Sequence, residues 1–178
     1  MFKTSLRISD AVELKQDCLK ILNGKYWIET DIDKVDIKNH RIPIDDELAD
    51  MLAVLIDKAK KYSNDDNNPN RFIFVRYKGP RKCRPYRKDW IQDKLNLFAK
   101  DYNITDEYGK IYHFKNHAFR HTCAIKLLNN GADILVVKEI LGHASYEMTL
   151  TYAKLLDDTK RKAFDEVVKK GVFHFDER

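Results

Sequence analysis

The amino-acid sequence predicts an α+β fold, mainly α, with one small antiparallel sheet. Most segments between turn signals space their apolar residues three and four apart, as one face of a helix requires. Residues 25–44 (KYWIETDIDKVDIKNHRIPI) break that pattern most clearly. They are rich in Ile, Val, Tyr and Trp, with turn-prone Asp33 and Asn39, and read as two or three short strands. A chain of 178 residues, 43% hydrophobic, can bury one sizeable core, so a single domain over residues 1–178 is expected.

In chain order, Ser9 is placed to cap a helix with Ala11, Leu14, Cys18 and Leu22 on its apolar face, stopped by Asn23-Gly24. After the strands, Asp45 or Asp46 opens a second helix, carrying Leu48, Met51, Leu52, Leu55, Ile56 and Ala59 on one stripe. Residues 63–70 (SNDDNNPN) form a polar loop, and Arg71–Tyr77 reads as a short strand. Trp90, Ile91, Leu95, Phe98 and Tyr102 mark a third helix. Further helices are expected at 117–129, ended by Asn130-Gly131, and at 133–141, ended by Gly142. Ser145 can cap a helix reaching Tyr152. Asp157 or Asp158 opens the last one, which stops at Gly171.

Composition narrows the function classes. No apolar run approaches the roughly 20 residues of a membrane span, and the N-terminus lacks the pattern of a secretory signal. Cys18, Cys83 and Cys123 are odd in number and share no metal-ligand spacing, which suits reduced thiols and a cytoplasmic location. The net charge of +5 is modest but unevenly placed. Between residues 76 and 88 (RYKGPRKCRPYRK) stand Arg76, Lys78, Arg81, Lys82, Arg84, Arg87 and Lys88, with no acidic residue among them. Such a run either forms a solvated loop or neutralises several phosphates of a nucleic acid. Tyr77, Tyr86, Pro80 and Pro85 point to an ordered loop.

The most specific stretch is 117–152, HAFRHTCAIKLLNNGADILVVKEILGHASYEMTLTY. It holds His117 and Arg120 in an H-x-x-R, then Leu141-Gly142-His143, then Tyr152 nine residues after that histidine. With Thr4-Ser5-Leu6-Arg7-Ile8-Ser9-Asp10 near the start, this ordered set resembles the catalytic domain of the tyrosine recombinases, the phage integrase family. The resemblance runs from about residue 4 to about residue 165. It implies a helical catalytic domain of the DNA breaking-rejoining type. Only six residues precede Arg7, so the first helix and an upstream DNA-clamping domain of that family are expected to be missing. Ser5 stands where the family usually has the glycine of T-G-L-R.

The chemistry such residues can perform follows from charge. A scissile phosphate becomes more negative as it is attacked, and fixed guanidinium forks can hold its non-bridging oxygens. Arg7 and Arg120 are the candidates. The resemblance makes Tyr152 the nucleophile. A phenol is only about 0.1% ionised at pH 7, so nearby cations or imidazoles must help remove its proton. His117 and His143 match the family's remaining phosphate-site positions, and Asp10 matches a supporting acidic position. A lysine is implied as the acid that protonates the leaving 5′ oxygen; Lys34 is favoured by its distance before Arg41-Ile42-Pro43-Ile44, with Lys38 as the alternative. His113, His117 and His121 also fall at i, i+4 and i+8, a spacing open to a metal site. Arg120 beside that face and the lack of an H-E-x-x-H argue against it.

The resemblance thus implies a site-specific recombinase that works through a 3′-phosphotyrosyl link, with no cofactor or metal. A topoisomerase of the same chemistry and a DNA-binding module without catalysis remain the alternatives. Duplex DNA is the expected partner. The apolar tail Val172-Phe173-His174-Phe175 follows a segment with Phe164, Val167 and Val168 on one face. The resemblance implies that such a C-terminal segment docks on a neighbouring protomer, giving homo-oligomers on paired DNA sites with weak or no self-association without DNA; a tail folded back on its own domain is the alternative.

Overall fold

Asn23-Gly24 is a hairpin turn rather than a helix stop. In the computed structural model, which describes residues 3–115, 117–145, 147–150 and 157–169, both residues have positive φ (51° and 71°) and join Leu22 to its partner Lys25. The expected helix from Ser9 to Leu22 is therefore replaced by a five-residue helix, α1 (Ile8–Val12), and a strand, β1 (Leu19–Leu22). Leu14, Cys18 and Leu22 are four apart, an even interval that puts residues on one face of a strand as well as of a helix. The cap also differs. Arg7 precedes α1 without a side-chain capping bond, while the Ser9 hydroxyl donates to Asp10 Oδ1 at 3.1 Å.

β1, β2 (Lys25–Ile32) and β3 (Ile37–Pro43) form an antiparallel meander in that order. Ile28 pairs with Ile42 and Thr30 with His40, after which the register shifts to Ile32 opposite Ile37. A single 3-10 turn, Asp33–Val35, and a left-handed Asp36 link β2 to β3. α2 (Asp46–Tyr62) is capped by Asp45, whose carboxylate accepts the Leu48 N–H at 3.0 Å. It covers the sheet with Leu52, Ile56 and Ala59, in a core shared with Leu6, Leu14, Cys18, Ile28, Ile42 and Ile73.

The strand expected at Arg71–Tyr77 is reduced to isolated bridges, Lys15 with Phe72 and Val75 with Pro85. Asn68 explains part of this. Its buried amide takes both main-chain groups of Phe72, donating to the carbonyl at 2.9 Å and accepting the N–H at 3.1 Å. Left-handed Arg71 (φ 53°) bends the chain there as well. α3 (Lys88–Asp101) lies where its apolar spacing placed it. Its Trp90 and Phe98 are partly exposed, Tyr102 just beyond it is largely exposed, and Ala99 is its buried residue.

α4 (Ala118–Asn129) and α5 (Ile134–Leu141) pack through Ala124, Leu128, Val137 and Leu141 into a second, smaller core. Asp133 caps α5 by accepting the Leu135 N–H at 2.7 Å. Gly142 ends it in the left-handed region, with the Gly142 N–H on the Glu139 carbonyl and the His143 N–H on the Lys138 carbonyl. Short α6 (Glu147–Leu150) and α7 (Asp157–Lys169) follow. Among the described residues no helix is long and apolar enough to cross a membrane. The two cores meet where α4 and the end of α5 approach the N-terminal segment and β3.

Candidate active site

Arg120 stands in the first turn of α4 and is 3% exposed. Its guanidinium donates to the Ser5 carbonyl at 2.7 Å and to the Leu141 carbonyl. The second acceptor belongs to the last turn of α5, whose carbonyls have no partner further along the helix and carry the negative end of its dipole. One side chain thus ties the N-terminal segment to the end of α5. Ser5 is fully buried with φ 49°, a conformation that a glycine adopts without cost. This gives a physical reason for the glycine of T-G-L-R. Here Ser5 keeps the bend and steadies it with a hydroxyl bond to the Thr4 carbonyl at 2.8 Å.

Arg7 follows directly, in extended conformation at the start of α1, and is 8% exposed. Its Nη1 lies 3.5 Å from Asp10 Oδ2, one helical turn on. That is an ion pair, yet neither atom has a hydrogen-bond partner among the described residues. A buried guanidinium nitrogen left so is costly unless an acceptor arrives.

His143 comes next after Gly142 and is 5% exposed. Its Nδ1 is 2.8 Å from the hydroxyl of fully buried Thr149, in α6. Burial, then the charges of Arg120 and Arg7, push its pKa down to about 4, so the ring is neutral near pH 7. This predicts an acid-labile fold. The unfolded chain takes up that proton near pH 6.5 and the folded chain only near about 4. The unfolded state therefore binds more protons between those values, and stability falls as pH drops through that window. The loss attributable to His143 is on the order of 3 kcal/mol at most. Urea midpoints measured from pH 7 to pH 4 should fall, and His143→Gln should flatten that fall.

The remaining expected residues are distributed as follows. His117 is exposed and immediately precedes α4. Lys34 is exposed on the 3-10 turn, and Lys38 pairs with Asp33 at 3.2 Å. With Asp10 both lysines line a cleft of about 570 Å³, whose walls do not include Arg7, Arg120 or His143. Tyr152 lies outside the described residues, as does the tail Val172–Phe175. His113 is in an irregular segment ahead of α4, so the helical spacing of His113, His117 and His121 does not arise.

The basic run is an ordered loop leading into α3. Cys83, buried with φ 63°, anchors it by placing its sulfur 3.3 Å from the Tyr62 carbonyl. Arg76 lies over the stacked Tyr86 and Trp90 rings at 5.7 and 5.9 Å. Lys78, Arg81, Lys82, Arg84 and Arg87 are exposed on this loop, and Lys88 is exposed at the first position of α3.

Two residues at the site do more than the sequence indicates. His40 on β3 is buried, 3.3 Å from the Ile140 carbonyl. Gly142 is needed for more than its positive φ, since a Cβ there would collide with Ile32 and crowd the His40 ring at 3.4 Å. A histidine two residues before Ile42, on its face of β3, was the only hint of the first.

The Phage integrase family profile matches residues 1–159. The chain belongs to the phage integrase family. It is 34% identical over 168 residues to Transposase B from transposon Tn554 of Staphylococcus aureus, covering 94% of this chain and 25% of that protein. It is 31% identical over 152 residues to the tyrosine recombinase XerD of Listeria innocua, covering 85% of this chain and 46% of that one. The chain thus spans between a quarter and about half the length of these curated relatives. Among family structures, that of XerA recombinase superposes over 92% of this chain and 54% of its own, with a TM-score of 0.68 at 24% identity. The catalytic domain of bacteriophage HP1 integrase does so over 92% and 76%, with a TM-score of 0.54 at 27% identity. The helical domain with its three-stranded sheet is that of the family.

Proposed function

We propose that this chain is the catalytic part of a site-specific recombinase that breaks and rejoins duplex DNA through a 3′-phosphotyrosyl link at Tyr152. What supports this most is the convergence of Arg7, Arg120 and neutral His143 from three distant segments, with one guanidinium nitrogen buried and unsatisfied. A phosphodiester would supply the missing acceptor. The Tyr152 oxygen gives its proton to a neighbouring imidazole and attacks phosphorus, the bond to the 5′ oxygen breaks, and that oxygen takes a proton from Lys34 or Lys38. Its reversal by another strand's 5′ hydroxyl rejoins the DNA, so no outside energy source is required. A neutral His143 suits hydrogen bonding to a phosphoryl oxygen. His117 is assigned to the same phosphate. We also assign residues 1–178 to one catalytic domain, acting as a homo-oligomer on paired DNA sites.

The test is capture from a library of duplexes nicked just 3′ of candidate scissile phosphates, in which the short fragment carrying the new 5′ hydroxyl diffuses away and traps the covalent state. Denaturant-resistant protein–DNA adduct is expected; its absence across the library would overturn the reading. Adduct that only reseals its own strand, never accepting another, would favour a topoisomerase.

The charged residues carry two further expected outcomes. If Lys34 protonates the leaving oxygen, Lys34→Ala should cleave poorly, and a 5′-bridging sulfur, which leaves without a proton, should restore cleavage. Rescue of Lys38→Ala alone would move the role to Lys38. If the loop 76–88 lies along the phosphate backbone, replacing Arg81 and Lys82 with Ala should weaken binding to all duplexes alike. The slope of log affinity against log salt should then fall by about 0.9 for each phosphate no longer neutralised. Weakening confined to one sequence would show base reading instead.

A further inference from the structure

The side chain of His40 occupies a place where an apolar residue would be expected. It is 8% exposed on the face of β3 that also buries Ile42, while its neighbours Asn39 and Arg41 point outward. A hundred residues further along the chain, the Ile140 carbonyl lies 3.3 Å from its Nε2. A carbonyl can only accept, so Nε2 carries the proton and donates it. Burial, with Arg120 and Arg7 nearby, holds the ring below the ordinary histidine pKa, in keeping with a single neutral tautomer. The acceptor belongs to the last turn of α5, where a carbonyl has no helical donor of its own. Ile32, at the far end of β2, closes the other side of the same turn by packing against Gly142.

The β2–β3 connection reaches out from this junction. Lys38 is two residues before His40 on β3, and Lys34 is on the turn just beyond. His143 follows Gly142 directly. The junction therefore ties the strand that follows the lysine-bearing turn to the helix end that leads into His143. Arg120 fixes the other face of the same helix end, through Leu141.

We infer that His40 is a positioning residue, whose bond to Ile140 holds the lysine-bearing hairpin in register with His143 and the two arginines. The inference rests on the recombinase reading. His40 touches neither phosphate nor nucleophile in this account. It acts by holding the donor of the leaving-group proton where the 5′ oxygen departs, and a misplacement near 1 Å can cost about 10²-fold in rate.

A role in delivering that proton has a signature that a purely structural role lacks. The substrates are paired nicked duplexes with oxygen or sulfur at the 5′-bridging position of the scissile phosphate, and the readout is the rate of covalent adduct formation. His40→Leu, which fills the space without a donor, should cleave the oxygen substrate about 10²-fold more slowly than the unaltered chain. It should cleave the sulfur substrate nearly as fast. His40→Gln, whose amide can donate to Ile140, should restore most of the oxygen rate. If His40→Leu does not fold by circular dichroism, His40→Met replaces it. Equal slowing on both substrates in a folded variant, or full activity without a donor, would overturn the assignment and leave the recombinase reading intact. No adduct from the unaltered chain on either substrate would overturn that reading and this assignment together.

Discussion

Tyr152→Phe should remove all covalent protein–DNA adduct while leaving affinity for duplex DNA nearly unchanged. The substitution keeps the ring and deletes only the oxygen that would bond to phosphorus, so packing and charge are preserved. The loss is complete rather than partial because no other group is assigned to attack. Nine tyrosines are present in the chain, and several have structural settings. Tyr62 and Tyr77 meet edge to face, and Tyr86 stacks on Trp90. Replacing any of these by Phe should leave adduct yield at the native level. Gel-shift affinities and denaturing gels on the same variants give both readouts. Normal adduct from Tyr152→Phe would remove it as the nucleophile.

The second large effect is expected at Arg120. Its guanidinium serves two carbonyls from distant segments, Ser5 and Leu141, in a nearly dry setting. Arg120→Ala leaves both acceptors without that donor and removes a cation from the proposed phosphate site. A buried acceptor left unsatisfied costs about 1–3 kcal/mol, so the combined loss of stability should reach several kcal/mol. Loss of one preorganised donor alone slows reactions by about 10²-fold or more. Arg120→Lys separates the two roles. A lysine keeps the charge, but its single ammonium cannot reproduce a planar fork spanning two carbonyls. It should recover part of the DNA affinity and little of the stability or cleavage rate. Denaturant midpoints, binding and single-turnover cleavage on the two variants check this. Arg120→Lys that is native in all three would contradict the anchoring role.

The same residue shows what was legible in the sequence. Arg120 was marked by H-x-x-R, but its acceptors lie 115 and 21 residues away. No local pattern encodes such a pairing. Helices α2, α4 and α5 are legible because start and stop signals act over a few residues, as at Asp45, Asn130-Gly131 and Gly142. The extent of the first helix is not legible because Leu14, Cys18 and Leu22 fit both periods, and Asn23-Gly24 is a stronger hairpin signal than a helix stop. His40 was missed for a related reason. Its function in this account comes from a carbonyl on another element, and a single histidine in a strand announces nothing. Ser5 shows the converse case, in which a departure from a familiar motif became intelligible only through its φ of 49°.

The most direct test of the whole account is the position of the covalent bond. Adduct trapped on nicked duplex should be digested with protease and nuclease and the modified peptide sequenced by mass spectrometry. The expected result is a phosphotyrosyl bond at Tyr152, carrying the 3′ end of the cleaved strand. A bond at any other residue, or a 5′-linked strand, would contradict the account.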